Sequence, residues 1–285
     1  MWISVLAIIQ STAAPPAAHQ SGAFKSARVN ESSGVAVSRK HRGLLWTHND
    51  SGDGPYVYAT DTTGADRGAL RVPDAEAVDW EDMALGPCPR AAGDCLYLAD
   101  TGDNSERRTT VTVYAVSEPE PPSGPADTSR LTVKPATLHL RYPDGPADVE
   151  AVYVAPDGVL YLVSKGRSRG VRLYRVPRTS WTADTLVTAE KLQDVTTIVP
   201  DRVIGRLVTG AAISPNGTRV VVRTYTELYQ FEMGKDGRLS PAGNCPLGPL
   251  EEQGEAVDFL DASTLVLTSE AGRKPPGSIH IVRCP

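Results

Sequence analysis

The feature that most constrains this chain is a degenerate repeat that recurs five times between residues 31 and 282. Each unit opens on an acidic or small residue and enters a short apolar segment. It then turns, runs through a second apolar segment ending in polar residues, and continues into a third segment rich in Val and Tyr. Residues 31–37, 44–50 and 56–61 form the first unit; 79–85, 95–100 and 111–116 form the second. The third comprises 148–154, 159–165 and 171–176, the fourth 209–214, 219–225 and 227–231, and the fifth 254–259, 264–270 and 278–282. Self-similarity of this kind marks an array of equivalent supersecondary units. Short β-branched and aromatic segments bounded by Gly, Pro, Asp and Asn read as strands. Pro156-Asp157-Gly158, Pro215-Asn216-Gly217 and Asp261-Ala262-Ser263 supply turn chemistry between first and second strands. No segment sustains a 3.6-residue apolar period, so few helices are expected.

Fourth strands are expected at 68–72, 136–142, 186–194 and 238–243, whereas the fifth unit ends after its third strand. Residues 23–29 are expected to supply the missing strand, since closing the ring removes exposed sheet edges. The reading is therefore all-β: a single β-propeller of four-stranded antiparallel blades over 23–285, closed by an N-terminal strand. The count gives five blades. Six stays open because the second and third units are long, and a β-sandwich would leave the shared opening of each unit unexplained. Four cysteines allow three pairings. Cys88–Cys95 is expected as a local staple, and Cys245–Cys284 as a clasp that ring closure would bring together. No Cys-x-x-Cys pair points to a metal instead.

Residues 2–10 are apolar but too few to span a bilayer, and small residues follow to about 18. Residues 1–18 read as a signal peptide cleaved after Ala14 or Ala18, although no Lys or Arg precedes the apolar run. A buried N-terminal strand is the alternative. With the cysteines, this predicts a secreted, extracellular or periplasmic protein without a transmembrane segment. The formal net charge is −5, which offers no nucleic-acid footprint. A monomer is expected, with a small-molecule or extracellular ligand whose identity the sequence does not disclose.

In a propeller the residues entering each first strand and those ending each second strand open on one face. Entering the first strands are Glu31, Asp79, Glu81, Asp82, Asp148, Glu150 and Glu255. Ending the second strands are His48, Asn49, Asp50, Asp53, Asp100, Asp103, Asn104, Lys165, Arg223, Tyr225 and Glu270. Converging carboxylates repel unless a cation or a proton offsets them. Ca²⁺ accepts six to eight oxygen ligands in flexible geometry, so Ca²⁺ is the expected cofactor. Its candidate ligands are Glu31, Asp79, Glu81, Asp148, Glu150 and Glu255. Zinc would want His or Cys, and only His48 is at hand. Asp and Asn beside Gly are also ordinary turn residues, a reading that covers about half of Asp50, Asp53, Asp103 and Asn104.

An acid before an Ala-Val or Met strand, with Leu96-Tyr97-Leu98-Ala99-Asp100-Thr101-Gly102-Asp103-Asn104 nearby, resembles a family of secreted bacterial β-propellers of unassigned activity. More distantly it is similar to phytase-like and related Ca²⁺-binding propellers. That resemblance implies Ca²⁺ in an acidic channel mouth, with Glu81, Glu150 and Glu255 the best-matching positions. The fourth unit departs from the pattern, because Thr209-Gly210 replaces the acid.

Two functions fit. One is a metal-dependent hydrolase of an anionic substrate such as a phosphoester, with Glu150, Asp82, His48, Lys165 and Arg223 as candidate catalytic residues. A carboxylate or His48 would activate water, and Lys165 and Arg223 would meet the anion. A glycoside hydrolase is a variant of this, with Trp80 or Tyr225 as a sugar platform. The other function is a non-catalytic binding or scaffold propeller with a structural metal, in which Lys165 and Arg223 are structural partners of the acids. No nucleophile elbow, P-loop, dinucleotide fingerprint or His-Glu-x-x-His motif occurs.

Overall fold

A computed structural model describes residues 17–284 apart from 130, 183–184, 249 and 274. The expected signal segment therefore lies outside the described residues except for Ala17 and Ala18, which open the first strand, β1 (Ala17–Ala23). Blade 1 consists of β2 (Ser32–Val37), β3 (Leu45–Asn49), β4 (Tyr56–Thr60) and β5 (Ala69–Arg71). Blade 2 consists of β6 (Trp80–Pro87), β7 (Asp94–Asp100), β8 (Val111–Ser117) and β9 (Ala136–Arg141). Blade 3 contains β10 (Val149–Val154), β11 (Leu160–Ser164) and β12 (Arg172–Val176). After a 3₁₀ turn at Arg178–Ser180 come β13 (Leu186–Thr188) and β14 (Glu190–Asp194). Blade 4 is β15 (Val208–Ile213), β16 (Arg219–Thr224), β17 (Glu227–Met233) and β18 (Leu239–Pro246). Blade 5 is β19 (Gly254–Phe259), β20 (Leu265–Ser269) and β21 (Ser278–Arg283), completed by β1.

Five blades thus form a ring, with β2, β6, β10, β15 and β19 innermost. These inner strands are buried along almost their whole length because each packs between its own blade and its neighbours. The core consequently lies in the seams, and one apolar cluster fills each of the five blade junctions. Between blades 2 and 3, for example, Tyr97 and Val113 pack with Val149, Leu160 and Tyr174.

Two expectations shift in register. Ring closure uses β1 at 17–23 rather than 23–29, pairing Ala17 to Ala23 antiparallel with Arg283 to Ser278. Phe24 and Val29 look like strand residues, but they are buried in the seam between blades 5 and 1, so their segment links the blades. The segment 186–194 divides in two: β14 completes blade 3, while β13 runs parallel to β9 and covers the open edge of blade 2. Blade 1 is covered in a similar way, since Ala69 and Arg71 donate amide hydrogens to Asp127 and Ser129 of the β8–β9 connection, at 3.0 and 2.9 Å. Both devices remove a row of unpaired backbone groups.

Both expected disulfides form. Cys88–Cys95 staples the β6–β7 turn, and Cys245–Cys284 ties blade 4 to the end of blade 5. Such bonds suit an oxidising compartment. No helix among the described residues is long and apolar enough to cross a membrane.

Candidate metal centre at the channel mouth

Every inner strand carries a β-bulge near its start. The pairing skips from Ser32 to Gly34, Trp80 to Met83, Val149 to Ala151, Val208 to Gly210 and Gly254 to Ala256. One residue is thereby released from the ladder in each blade, and two in blade 2, and a bulge re-aims the side chain it frees. The freed positions are Ser33, Glu81 with Asp82, Glu150, Thr209 and Glu255, all buried. Two residues earlier lie Glu31, Asp79, Asp148, Leu207 and Gln253. The second strands end beside them, because Asp50, Lys165 and Glu270 donate their amide hydrogens to the carbonyls of Glu31, Asp148 and Gln253 at 2.9, 2.9 and 3.0 Å. The mouth is therefore built in tiers, with acids concentrated on blades 1, 2, 3 and 5.

Two carboxylate triads result, one of Asp50, Asp79 and Glu81 and the other of Glu81, Asp148 and Glu150. Within each, one ligand oxygen per residue lies within 4.8 Å of the others. Glu81 belongs to both. It is 5 % exposed, and its carboxylate has no hydrogen-bond partner among the described residues. Gly102 makes this convergence sterically feasible, since a Cβ there would overlap the Glu81 carboxylate and stand 2.6 Å from Asp79 Oδ2.

The electrostatics record the crowding. Burial, followed by Glu150 and Asp50, pushes the Glu81 carboxyl well above the ordinary range. Burial, then Asp50 and Asp148, raises Asp79 to about 6. Burial raises Glu255 to about 7, and burial with Glu255 and Asp50 raises Glu270 to about 8. Lys165 is the principal counter-charge: its Nζ lies 2.6 Å from Glu150 Oε1 and 5.9 Å from the Tyr225 ring centroid. Burial opposes the Lys165 charge, but Glu150, Tyr225 and Glu255 together hold its ammonium above the ordinary range. Arg167 Nε approaches Asp148 Oδ2 at 2.6 Å, while the Asp103 amide donates to the other Asp148 oxygen at 2.9 Å.

The sequence-derived candidates divide accordingly. Asp79, Glu81, Asp148 and Glu150 come together; Glu255 faces them from blade 5, and Glu31 lies at the outer rim. Asp82 instead points into the channel interior, accepting amide hydrogens from Met83, Val152 and Ala211 at 2.8, 2.9 and 3.1 Å. It thereby clips three inner strands together. His48 packs edge-on against Trp80, centroids 5.3 Å apart, with Nδ1 2.9 Å from the Asn49 carbonyl. Burial holds its imidazole below the ordinary value. Arg223 is fully buried and donates to the Ala256 and Thr268 carbonyls and to Glu251, which also meets His280. It binds blade 4 to blade 5 rather than facing the mouth. Trp80 is equally buried, donating Nε1–H to the Glu76 carbonyl.

Asp50, read from sequence as a turn residue as readily as a ligand, completes one triad. Its signal was its place directly after a second strand, in register with Lys165 and Glu270. Asp258 was missed. It lies half-buried at the far end of β19, accepts the Val37 amide at 2.7 Å and joins blade 5 to blade 1.

No protein-family model matches the chain, and no characterised protein matches it in sequence. Its likeness to solved structures is one of fold. The PQQ-bound aldose sugar dehydrogenase of Streptomyces coelicolor superposes with a TM-score of 0.54 at 12 % identity, covering 95 % of this chain and 100 % of that one. A gluconolactonase from Xanthomonas campestris gives a TM-score of 0.45 at 11 % identity over 95 % of this chain and 90 % of that one. The virginiamycin B lyase of Staphylococcus aureus gives 0.43 at 11 % over 88 % and 66 %. The chain is a five-bladed β-propeller whose buried acidic cluster could hold a metal ion.

Proposed function

We propose that the channel mouth binds a hard divalent cation, Ca²⁺, and that the protein is an exported, metal-dependent hydrolase of an anionic substrate such as a phosphoester. The observation that carries this is Glu81, a buried carboxylate at the junction of two triads that has no hydrogen-bond donor among the described residues. A carboxylate so placed either keeps its proton or, once ionised, needs a counter-ion, and a bound cation would supply one. The available donors are all carboxylate oxygens from Asp50, Asp79, Glu81, Asp148 and Glu150, which suits Ca²⁺. Neither triad contains a His or Cys, and His48 turns its Nδ1 to the Asn49 carbonyl and its ring to Trp80, which disfavours zinc. A cation held there would draw in a phosphoryl oxygen and acidify bound water. Lys165 adds positive charge on the blade 3 side, and Glu270, half-buried across the mouth, keeps a proton into the neutral range and can donate it to a leaving group.

A non-catalytic propeller with a structural cation is the second reading. It is favoured by the structural engagement of Asp82, His48 and Arg223.

Melting of chelator-treated protein with and without Ca²⁺, beside Glu81→Gln, tests the site. A cation that binds only the folded state raises the melting temperature. A rise in the parent that is lost in the variant supports the site, and no rise in the parent rejects it. Ca²⁺-dependent phosphoester hydrolysis that disappears in Glu81→Gln then separates enzyme from scaffold.

A further inference from the structure

Beside the mouth, on the outer side of blade 1, lies a cavity of about 540 Å³. It opens among the 27–31 segment, the loop that follows β3, the start of β4 and Thr128 of the β8–β9 connection. Nothing in the cation site requires it. Its volume falls within the range of small-molecule pockets.

Its back wall is fixed. Asp53 accepts the Asn49 amide at 2.8 Å and the Tyr58 hydroxyl at 2.7 Å. The same Asn49 nitrogen donates to the Arg28 carbonyl at 2.6 Å, and the Arg28 guanidinium stands 5.6 Å from the Tyr58 ring centroid. In front of this wall are groups with uncommitted hydrogen-bonding capacity. Among the described residues, the Asn30 amide, the Tyr56 and Thr128 hydroxyls and the Glu31 carboxylate have no side-chain hydrogen-bond partner. Arg28 is only lightly engaged, 3.3 Å from the Pro125 carbonyl and 4.0 Å from Asp66. The half-buried Tyr56 ring, with one edge over Gly54, contributes an aromatic surface.

We propose that this cavity is a subsite for a single sugar ring. An anion would face Glu31 and Asp53, and a cation would face Arg28. A neutral polyhydroxylated ring needs donors and acceptors around its rim and a flat apolar wall for its C–H face, and the cavity presents all three. The wall is held in place before binding, which lowers the ordering cost. Glu31 also adjoins the triads, since its carbonyl accepts the Asp50 amide at 2.9 Å. Resting on the cation reading above, the substrate class becomes a sugar ester whose anionic group lies at the mouth and whose ring occupies the cavity.

The test uses chelator-treated full-length protein with free glucose, galactose and mannose, and saturation-transfer NMR as the readout. The expected result is transfer to the ring protons of at least one sugar, lost in Tyr56→Ala and in Asn30→Trp, which fills the cavity from its exposed rim. The Ca²⁺-induced melting shift should persist in both variants, which confirms that they fold. No transfer from any of the three sugars, or equal transfer in both variants, overturns the subsite. Sugar binding in a parent that shows no Ca²⁺ shift upholds the subsite while removing the cation reading.

Discussion

Glu255 offers a direct measure of how the mouth is balanced. It is 4 % exposed, and among the described residues the one hydrogen bond to its carboxylate comes from Gln253 Nε2 at 3.2 Å. Burial keeps its proton on to about 7, against 4.5 for a free side chain, although Lys165 pulls the other way. Between those values the folded protein holds a proton that the unfolded chain has released. Its contribution to stability is therefore full below 4.5 and declines as the pH rises through about 7. At about 1.4 kcal/mol per pH unit the loss is on the order of 3 kcal/mol. Glu255→Gln replaces the carboxyl with an isosteric amide that never ionises. In chelator, variant and parent should melt together near pH 4.5 and diverge by pH 7 and above. There the variant should be higher by roughly 6 °C, taking ~2 °C per kcal/mol for a chain of this size. Melting temperature followed against pH by circular dichroism makes the measurement. A difference that does not change with pH, or a variant less stable on the alkaline side, would refute the claim that Glu255 lacks an adequate counter-charge. Added Ca²⁺ should narrow the gap by stabilising the parent.

Gly102→Ala should cost about 1–3 kcal/mol through overpacking against Asp79 and Glu81 and should also diminish the Ca²⁺-induced melting shift. A full shift in that variant would show that the triads do not pack as described. Removing Cys245–Cys284, which closes a 39-residue separation, should cost about 4 kcal/mol in urea unfolding, against about 2 kcal/mol for Cys88–Cys95 and its separation of 7. The reverse order would contradict the role of the former as the clasp between blades 4 and 5.

The blades were legible because a strand's register is written locally, in alternating or continuous apolar residues bounded by turn chemistry. Residues 148–154 and 159–165 identify a hairpin without any knowledge of the rest of the chain. The acidic entries Asp79/Glu81 and Asp148/Glu150 were legible for the same reason, since both occupy one phase of the repeat. Asp82 and His48 were misread as mouth residues because one residue along a strand reverses the side-chain direction, and a bulge shifts that phase without a mark in the sequence. Arg223 carries a charge that suits an anion site, yet its partners, Glu251 and the Ala256 and Thr268 carbonyls, lie more than twenty residues away.

What the sequence determined by itself is the all-β repeat and the abundance of acids at one phase of most units; it favoured five blades and the two disulfide pairings, which the structure then shows. The repeat and its acids follow from local pattern, and the favoured count and pairings from the topology of closure. What only the tertiary structure decided is which acids share a site. That depended on five bulges, on Gly102 leaving room for two carboxylates, and on Asp50 and Glu81 meeting across a seam between blades. Distances of a few ångströms between side chains on different blades are set by how the seams pack, and no local pattern encodes them.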